Sequence, residues 1–599
     1  MHPGIACWRS VAAVPCVLLP VVACSPSTET AASSSTPAIH AGTEDASRAT
    51  EDGPRFVFVD VAEAAGLDIV NVSGDRRRWY IPEGNGCGAA WLDVDGDDDL
   101  DLFVANGAGM RYVDDGARLE VELGAGGARL YENKGAMTFE DVSAAYGLDV
   151  AGWINAVAVG DVEGDGDPDL YLACFGSDLF FRNDGGKFVE CSAAAGLVND
   201  LWGAGAAFGD VDNDGDLDLY VANYCLFDLD NPPDGGRRAV IDGVEIGWGP
   251  EAENGRGFNR GAPDRFFVND GQGQFREASA ELGLQLDAGL CSYAVVFSDV
   301  DDDGWQDILV ANDLQPCNLF HNDGTGAFEE QGAQRGFALN GDGQATAAMG
   351  LLVADVDSDG DMDVLRTNFD FEANSLHIND GKGRFTDRAN AAGLAAASVD
   401  KLGWGGGFFD ADLDGNLDLL VANGHVMPQA AKIGMHEWAQ RSQLFEGRRD
   451  ASGAHTFVEA TPAGKGLDLL RSARGVAFAD ADQDGDLDAL IVDMDERPRL
   501  LENRSPARGK WLQIRTVGTM SNRDGLGARV RVVAGDRSWT NEVRFSNGLY
   551  SSHAPGLFVG LGPVTSVDRV EVRWPSGHEQ VVLSPELNAT LVITESEPR

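Results

Sequence analysis

The chain has 599 residues, a net charge of −52 and a hydrophobic content of 43%. This length suffices for several domains or for one large repeat architecture. The strong acidity argues against electrostatic binding to nucleic acid or to an anionic membrane, because like charges repel.

The first 24 residues predict an export signal. An apolar stretch from Val11 to Ala23 follows Arg9 and is too short to cross a bilayer. It ends in Val-Val-Ala-Cys-Ser, which resembles a bacterial lipoprotein signal with Cys24 as the lipidated residue; an ordinary cleaved signal peptide is the alternative. Both interpretations predict export, to the cell envelope or to the medium. Residues 25–54 are rich in Ser, Thr and Ala and predict a disordered linker.

Seven acidic loops of the form D-x-[DE]-x-D-[GD]-x-x-D follow between residues 93 and 488. Calcium takes roughly six to eight oxygen ligands, and side chains at alternate positions of a tight loop converge on one ion. We therefore predict up to seven calcium sites, with side-chain ligands at positions 1, 3, 5 and 9 and a carbonyl from position 7. The predicted site residues are Asp93, Asp95, Asp97, Asp99 and Asp101 in loop 1; Asp161, Glu163, Asp165, Asp167 and Asp169 in loop 2; Asp210, Asp212, Asp214, Asp216 and Asp218 in loop 3; Asp299, Asp301, Asp303, Trp305 and Asp307 in loop 4; Asp355, Asp357, Asp359, Asp361 and Asp363 in loop 5; Asp410, Asp412, Asp414, Asn416 and Asp418 in loop 6; and Asp480, Asp482, Asp484, Asp486 and Asp488 in loop 7.

The spacing of the loops argues against two other interpretations. A single acidic run can be a solvated turn, but seven copies with the same internal spacing favour metal sites. An EF-hand loop ends in Glu at position 12 and lies between helices. Here position 9 is Asp and leads directly into apolar sequence such as Leu219-Tyr220-Val221, so helical calcium loops are not predicted.

The segments between the loops predict β-strands. A strand of small residues precedes each loop, an apolar strand follows it, a third strand ends in a turn that is often Asn-Asp-Gly, and a fourth begins at an aromatic residue. Seven repeats of four antiparallel strands predict an all-β, seven-bladed β-propeller over residues 55–505. The last loop lacks its own fourth strand, whereas Phe58–Val61 has no loop before it. We therefore expect the N-terminal strand to complete the final blade.

Two further features of the propeller region leave alternatives open. Residues 224–262 contain Pro232, Pro233 and Trp248 and predict an insertion that either covers one face or is a plain surface loop. Six cysteines permit disulfides in an exported protein, and the absence of a C-x-x-C pair argues against zinc. They are Cys87, Cys174, Cys191, Cys225, Cys291 and Cys317.

The last segment, residues 506–599, alternates apolar and polar residues between Gly- and Ser-rich turns and predicts a small β-sandwich-like domain. The acidic loops with their Phe-x-[DE] strands resemble FG-GAP or VCBS repeats, the units of integrin α-chain propellers. The C-terminal segment resembles the ASPIC/UnbV domain of the cartilage acidic protein family and its bacterial relatives. The segments that carry this second resemblance are Trp511–Ile514, Ser521–Arg529, Gly548–Ser552, Gly560–Gly562 and Val572–Gly577.

The resemblance implies a calcium-binding propeller followed by a small β domain, with the loop positions named above as metal ligands. Three features depart from the family pattern. Glu163 replaces Asp at position 3 of loop 2, Asp98 replaces the Gly of loop 1, and the EGF-like tail of the animal members is absent. Loop 2 is therefore the least certain match to a calcium site.

The leading functional hypothesis is a monomeric, non-enzymatic, calcium-binding adhesion module for an extracellular or envelope protein or glycan, because propeller faces present loops on a rigid ring. A structural partner of a neighbouring envelope protein is a related hypothesis, with the insertion or the Trp-rich C-terminal segment as the contact. The alternative is an enzyme: a calcium-dependent carbohydrate-active enzyme, or an accessory protein of enediyne-type natural-product biosynthesis. No catalytic residues are predicted; His425 and His436 are the only histidine pair that merits consideration.

Overall fold

The computed structural model describes residues 54–74, 78–107, 110–114, 119–123, 127–227, 238–247, 260–286, 289–449 and 454–597. These residues fall in one unit of the chain, Pro54–Arg599. The predicted signal peptide with Cys24, the linker before Pro54, and Pro232, Pro233 and Trp248 of the insertion lie outside the described residues. None of the described helices has the length and apolar character needed to cross a bilayer.

Seven four-stranded antiparallel sheets form the larger part of the fold. We call them blades 1 to 7 and number the strands of each blade from first to fourth. The strands are Ala89–Leu92, Asp101–Val104, Arg129–Asn133 and Phe139–Asp141 in blade 1; Ile154–Gly160, Asp169–Cys174, Leu179–Asn183 and Phe188–Glu190 in blade 2; Gly203–Gly209, Asp218–Asn223, Arg265–Asn269 and Phe275–Glu277 in blade 3; Ser292–Ser298, Asp307–Asn312, Asn318–Asn322 and Phe328–Glu330 in blade 4; Ala348–Ala354, Asp363–Asn368, Ser375–Asn379 and Phe385–Asp387 in blade 5; Gly403–Phe409, Asp418–Asn423, Gln443–Arg449 and His455–Glu459 in blade 6; and Ala473–Ala479, Asp488–Asp493, Arg499–Asn503 and Phe58–Asp60 in blade 7. The predicted all-β propeller class is confirmed.

The first strands of the blades meet around the ring axis. Each contacts the first strands of two other blades, and that of blade 7 contacts that of blade 1, so the ring is closed. Blade 7 takes its fourth strand from the N-terminal side of the chain, where Phe58–Asp60 pairs with Arg499–Asn503. Small residues are needed in these first strands because the backbones approach closely. A Cβ atom on Gly205 would lie 2.3 Å from the carbonyl oxygen of Tyr293 in the next blade.

An asparagine at the end of the third strand links neighbouring blades. In blade 3, the backbone N–H of Asn269 donates to Asp218 at 3.0 Å, and its side-chain amide donates to the carbonyl of Val162 in blade 2 at 2.8 Å. Such a bond contributes about 1 kcal/mol net. The sequence indicated only a tight turn here, whereas the structure adds a bond between blades. The same bond to the preceding blade recurs at Asn133, Asn322, Asn379 and Asn503.

The antiparallel order of the strands gives the ring two different faces. Turns between first and second strands contain the acidic loops, and they share one face, the acidic-loop face, with the turns between third and fourth strands. Connections from second to third strands and from blade to blade lie on the other side, which we call the opposite face. Its regular elements are the helices Ile81–Asn85, Ser143–Tyr146, Ser192–Ala195 and Ala395–Ser398, the 3-10 helix Ala430–Ile433, and the strands Arg78–Trp79, Met110–Asp114, Leu119–Leu123, Arg238–Ile241, Val244–Gly247, Gln440–Arg441 and Leu470–Arg471.

The described part of the insertion packs on the opposite face. Its strand Val244–Gly247 pairs in parallel with Arg78–Trp79. Ile246 and Trp79 are buried together with Met427 of blade 6 in a small apolar cluster. Of the two alternatives for this insertion, the structure therefore favours the one in which it covers a propeller face.

The C-terminal domain consists of two sheets. Lys510–Val517 lies between Leu557–Gly562 and Thr590–Thr594 in the first sheet. The second sheet contains four strands, in the order Arg537–Glu542, Arg529–Ala534, Arg569–Arg573 and Glu579–Leu583. The buried side chains of this domain belong to the same apolar cluster as those of blades 1 and 2. The domain is therefore packed against the propeller.

The C-terminal domain rests on the acidic-loop face. The backbone N–H of Asp161 donates to Asp524 at 3.0 Å, and the indole N–H of Trp539 donates to the carbonyl of Gly415 at 3.1 Å. Trp511 packs over Gly485, where an added Cβ would lie 2.2 Å from the indole nitrogen. Trp511 and Trp539, two of the tryptophans in the segment proposed as a partner contact, thus pack against the propeller.

A segment of the C-terminal domain, residues 544–554, enters the centre of the ring; we call it the plug. Ser552 forms a parallel bridge with Ala90 of blade 1, and Gly548 an antiparallel bridge with Leu351 of blade 5. Tyr550, at its tip, is 3% exposed and has a φ of +66°. A left-handed φ at a bulky residue persists only where surrounding contacts hold it, so the plug is an integral part of the propeller core.

Truncation of the plug tip should destabilise the whole protein. We expect Tyr550→Ala to lower the free energy of unfolding by about 3 kcal/mol, because it removes a buried ring packed against Tyr293 and Trp404. Tyr550→Phe is the matched control and should be close to wild type, since the hydroxyl has no hydrogen-bond partner among the described residues. Urea denaturation measures both. Equal stability of the alanine variant and the wild type would contradict a packed plug.

Candidate metal centres

Each acidic loop is folded around its first and last carboxylates. In loop 3, Asp210 accepts hydrogen bonds from the backbone N–H groups of Asp214 at 3.1 Å and Gly215 at 3.2 Å. Glycine at this sixth position has a φ of +94°, which closes the turn. The carboxylates at positions 1, 3 and 5 are thereby gathered on one side of the loop.

Position 9 has a second role that the sequence did not indicate. It opens the second strand, and its two oxygens accept backbone N–H bonds from loop position 2 and from the third strand. In loop 1, Asp101 accepts from Val94 at 2.9 Å and from Asn133 at 2.8 Å. This carboxylate therefore holds the loop against the blade, in addition to any role as a ligand. The other six are Asp169, Asp218, Asp307, Asp363, Asp418 and Asp488.

Several of the loops could hold a metal ion, because their side-chain ligand atoms lie within a few ångströms of one another. Groups of this kind form in loops 1 to 4, with Asp184 of the adjacent turn joining loop 2 and His321 joining loop 4. The groups include Asp93, Asp95 and Asp101; Glu163, Asp165 and Asp184; Asp210, Asp212 and Asp214; Asp299, Asp301 and Asp303; and Asp301, Asp307 and His321.

Buried carboxylate oxygens without a hydrogen-bond partner show where a cation fits. In loop 5, one oxygen each of Asp355 and Asp357 is buried and unpartnered among the described residues, and in loop 7 the same holds for Asp480 and Asp486. Burial, with added repulsion from neighbouring aspartates, raises the pKa of Asp355 to about 7 and that of Asp486 to about 8. Unpaired buried carboxylates are costly, and a cation would neutralise them.

Loop 6 does not fit a free cation site. The guanidinium of Arg55 forms ion pairs with Asp412 and Asp414, at positions 3 and 5, and with Glu446. Arg508 adds a second contact, with its Nε 2.9 Å from the carboxylate of Asp412. Two protein cations thus occupy the carboxylates that an ion would need, and the expectation of a seventh calcium site is not supported by this geometry.

Loops 2 and 4 are partly neutralised by the protein. In loop 2, Arg182 lies 3.4 Å from Glu163. Loop 4 carries Trp305 at position 7, and its acids are paired three times: Asp299 with Arg573 at 2.8 Å, Asp301 with Arg335 at 3.0 Å, and Asp307 with His321 at 2.9 Å. We therefore expect weaker cation binding at these two loops than at loops 1, 3, 5 and 7.

The charge of one residue in the third strand differs between blades and so distinguishes the acidic loops. This residue comes just before the final Asn of the strand in blades 1 to 5 and 7, and it was not identified from the sequence. It lies beside loop position 3, as the Arg182–Glu163 and His321–Asp301 pairs show. The residue adds a carboxylate in blades 1, 6 and 7, a cation in blade 2, an imidazole in blade 4 and no charge in blades 3 and 5. Its fixed place just before the turn between the third and fourth strands was the sequence signal that could have identified it. The seven residues are Glu132, Arg182, Val268, His321, Ile378, Glu446 and Glu502.

The histidine pair considered from the sequence is brought together on the opposite face, at Asp370. His436 Nδ1 is hydrogen-bonded to one oxygen of Asp370, and His425 Nε2 lies 3.8 Å from the other. Burial lowers the pKa of His425 to about 4, so this imidazole is neutral at neutral pH. The third member, Asp370, was missed because it lies more than fifty residues earlier in the chain.

Of the six cysteines that permit disulfides, Cys87, Cys174, Cys191 and Cys317 are free thiols in the structure. Five of the six are buried and Cys191 is partly exposed. Burial raises the pKa of Cys87 to about 12. Disulfide pairing is therefore not realised at these four positions, and the buried thiols among them act as small apolar side chains of the core.

Comparison with known proteins agrees with this architecture. A family model for FG-GAP-like repeats matches residues 93–172, 161–221, 299–366 and 355–421, and a model for ASPIC and UnbV matches residues 518–599. Cartilage acidic protein 1 of Homo sapiens is 24% identical over 338 residues, which cover 53% of this chain and 46% of the human protein. The Mus musculus protein is 24% identical over 307 residues, which cover 48% of this chain and 42% of the mouse protein. The chain thus spans about half the length of the curated relatives it matches.

Two solved structures are among those similar to the chain. A lectin of Agrocybe aegerita that recognises non-reducing terminal N-acetylglucosamine has 17% identity and a TM-score of 0.35, covering 68% of this chain and 86% of the lectin. YCF48 from Cyanidioschyzon merolae has 8% identity and a TM-score of 0.32, and the match covers 70% of this chain and 95% of YCF48. The assignment of the repeats and of the C-terminal domain rests on the family-model matches and not on these two structures. The chain therefore carries FG-GAP-like repeats and an ASPIC and UnbV domain, an architecture it shares with its distant relative cartilage acidic protein 1.

Proposed function

We propose that this protein is an exported, calcium-stabilised binding module that recognises a protein or glycan partner through the opposite face of its propeller. The observation that carries this proposal is the position of the C-terminal domain. It rests on the acidic-loop face and fills the ring centre with the plug, so the opposite face, together with the insertion that packs on part of it, is the broad loop surface left for a partner. Export is inferred from residues 1–24 alone.

Calcium is the cation that best suits the acidic loops. Their side-chain donors are almost all carboxylates, arranged in flexible glycine-containing turns, and hard cations with high coordination numbers prefer such oxygen-rich sites. We assign calcium first to loops 1, 3, 5 and 7, where no arginine contacts the carboxylates at positions 1, 3 and 5 among the described residues. Bound ions would offset the repulsion within each loop, so their binding energy would stabilise the folded propeller.

Loop 3 offers a direct test of a single site. The double substitution Asp214→Ala and Asp216→Ala should lower the melting temperature measured in excess calcium, because it removes the side-chain donor at position 5 and a second carboxylate charge close to the ion at position 7. It should have little effect in chelator, where relief of the repulsion between carboxylates offsets the loss of the hydrogen bond from the Asp216 N–H to Asp214. Asp400→Ala, which removes an exposed acid outside the loops, is the control and should be unchanged in both conditions. Equal melting temperatures in calcium would count against loop 3.

The opposite face has features suited to a partner. Phe371 is 58% exposed beside His436, and Leu470 and Val240 are also exposed apolar side chains of this face. Exposed aromatic and aliphatic side chains within a polar rim are typical of recognition surfaces. The same chemistry serves a glycan, which stacks on aromatic rings, or a protein.

The partner can be sought with the calcium-loaded full chain on a glycan array and in a crosslinking pull-down from the envelope fraction. We expect Phe371→Asp to reduce binding of the captured partner at least tenfold. Val581→Asp is the matched control, since Val581 is 53% exposed on the C-terminal domain, away from the opposite face. Binding that is lost with Val581→Asp but kept with Phe371→Asp would overturn the assignment of the opposite face.

A further inference from the structure

The opposite face contains one cluster of metal-ligating side chains that is independent of the acidic loops. Asp370 follows the second strand of blade 5, and His425 follows the second strand of blade 6. Because these strands end at the same face of adjacent blades, the two residues are neighbours. His436 comes from the long connection that follows in blade 6 and completes the group.

The geometry of the cluster converges on a single carboxylate. Asp370 is 4% exposed; one of its oxygens is hydrogen-bonded to His436 Nδ1, and the other accepts the backbone N–H of His436 at 2.9 Å. That second oxygen is also 3.8 Å from Nε2 of His425. His425 is completely buried, and its Nε2 has no hydrogen-bond partner among the described residues. The buried Nε2 of His425 thus lies near a carboxylate oxygen of Asp370 to which it is not hydrogen-bonded. The distance of 3.8 Å between these two atoms leaves room for a metal ion that binds both.

We propose that His425, His436 and Asp370 form a transition-metal site that takes one Zn²⁺-type divalent ion. Two imidazoles and one carboxylate are a ligand set that zinc, iron and cobalt accept, with further coordination positions left for water or a ligand. The acidic loops supply mainly oxygen ligands, so the two kinds of site would select different ions. Side-chain exposure of 37% at His436 leaves the site open to solvent from one side.

The surroundings of the cluster favour an ion that bonds to nitrogen. Arg474 donates to the carbonyl oxygen of His425 at 3.1 Å and places a positive charge nearby. This charge repels every divalent ion equally, and the bonds to imidazole nitrogen let a transition-metal ion offset the repulsion better than calcium does. Binding through Nε2 leaves the ring proton on Nδ1, so the 3.4 Å contact between Met427 N–H and His425 Nδ1 must lengthen when the ion enters.

The test is a titration of the full chain with Co²⁺ in excess calcium, which keeps the acidic loops filled. The visible absorption of Co²⁺ reports nitrogen and oxygen coordination, and Zn²⁺ is then added as a competitor. We expect one equivalent of Co²⁺ with visible bands that Zn²⁺ removes. His436→Ala and Asp370→Asn should lose this equivalent, whereas His578→Ala, which removes an imidazole of the C-terminal domain, should keep it.

Two results would overturn the proposal: no Co²⁺ absorption in the wild type, or the same absorption in His436→Ala and Asp370→Asn. Melting curves in calcium show whether each variant is folded. If His436→Ala is unstable, Asp370→Asn still tests the site, because Asn has nearly the same shape as Asp. The site does not depend on the proposed function, because calcium stoichiometry and partner binding are measured separately from the Co²⁺ signal.

Discussion

Removal of divalent cations should lower the melting temperature of this protein, by an amount that grows as the pH rises from about 5 to 8. Without a metal ion, burial and then neighbouring carboxylates raise the pKa of Asp363 to about 8, and burial raises that of Asp101 to about 7. Both lie above the ordinary Asp value near 3.9. The metal-free folded state therefore binds more protons than the unfolded state, and its stability falls as the pH rises through these values.

Calcium should reverse that trend, because it binds the deprotonated carboxylates. At a free calcium concentration of about 100 times the dissociation constant, each filled site adds about 2.7 kcal/mol. Four such sites in a chain of this size correspond to a rise of about 10 °C in melting temperature. The measurement is a melting curve in chelator and in calcium at several pH values, with sodium chloride at matched ionic strength as the control. Identical curves in chelator and calcium would mean that the loops are solvated turns.

Replacement of Arg55 should create a calcium site. In the wild type, the guanidinium of Arg55 pairs with Asp412, Asp414 and Glu446 and so takes the place of an ion in loop 6. Arg55→Gln removes that charge and leaves Arg508, paired with Asp412, as the remaining arginine at loop 6, so the carboxylates of this loop carry an excess of negative charge. We therefore expect calorimetry to find one more calcium ion per chain in the variant than in the wild type, with the added ion restoring much of the lost stability.

The control for this experiment is Arg504→Gln. Arg504 pairs with Glu502 at the surface beside loop 7 but contacts none of the loop carboxylates, so its loss should leave the stoichiometry unchanged. A companion substitution, Asp412→Asn in the wild-type background, should not reduce calcium binding. An unchanged stoichiometry in Arg55→Gln, or a lower one in Asp412→Asn, would show that loop 6 holds an ion despite the arginine.

Arg55 also has a mechanical role. It lies three residues before Phe58, whose strand completes blade 7, and it is tied to blade 6 by the pairs described above. Arg508, which also contacts Asp412, belongs to the link between blade 7 and the C-terminal domain. The carboxylates of loop 6 therefore anchor both ends of the propeller chain, which offers a reason why two arginines contact this loop.

The sequence by itself determined the repeating parts of this protein. The period of the acidic loops, the glycine at the sixth position and the alternating apolar strands are local patterns, and local patterns fix loops, turns and strands within one blade. The unmatched strand at Phe58 also indicated how the ring is completed, since a blade with three strands needs a fourth. The C-terminal alternation similarly indicated a β domain.

Only the tertiary structure decided how these parts are used. Arg55 and Glu446 are 391 positions apart, and Ser552 joins a first strand more than 400 residues earlier. Contacts over such distances have no periodicity, so neither the neutralised loop 6 nor the plug could be inferred from spacing. The same holds for Asp370, which meets two histidines only because adjacent blades end at one face. Local sequence thus set the blades and their acidic loops, whereas ring closure and domain packing decided which loop carboxylates are paired with arginines and which face the C-terminal domain covers.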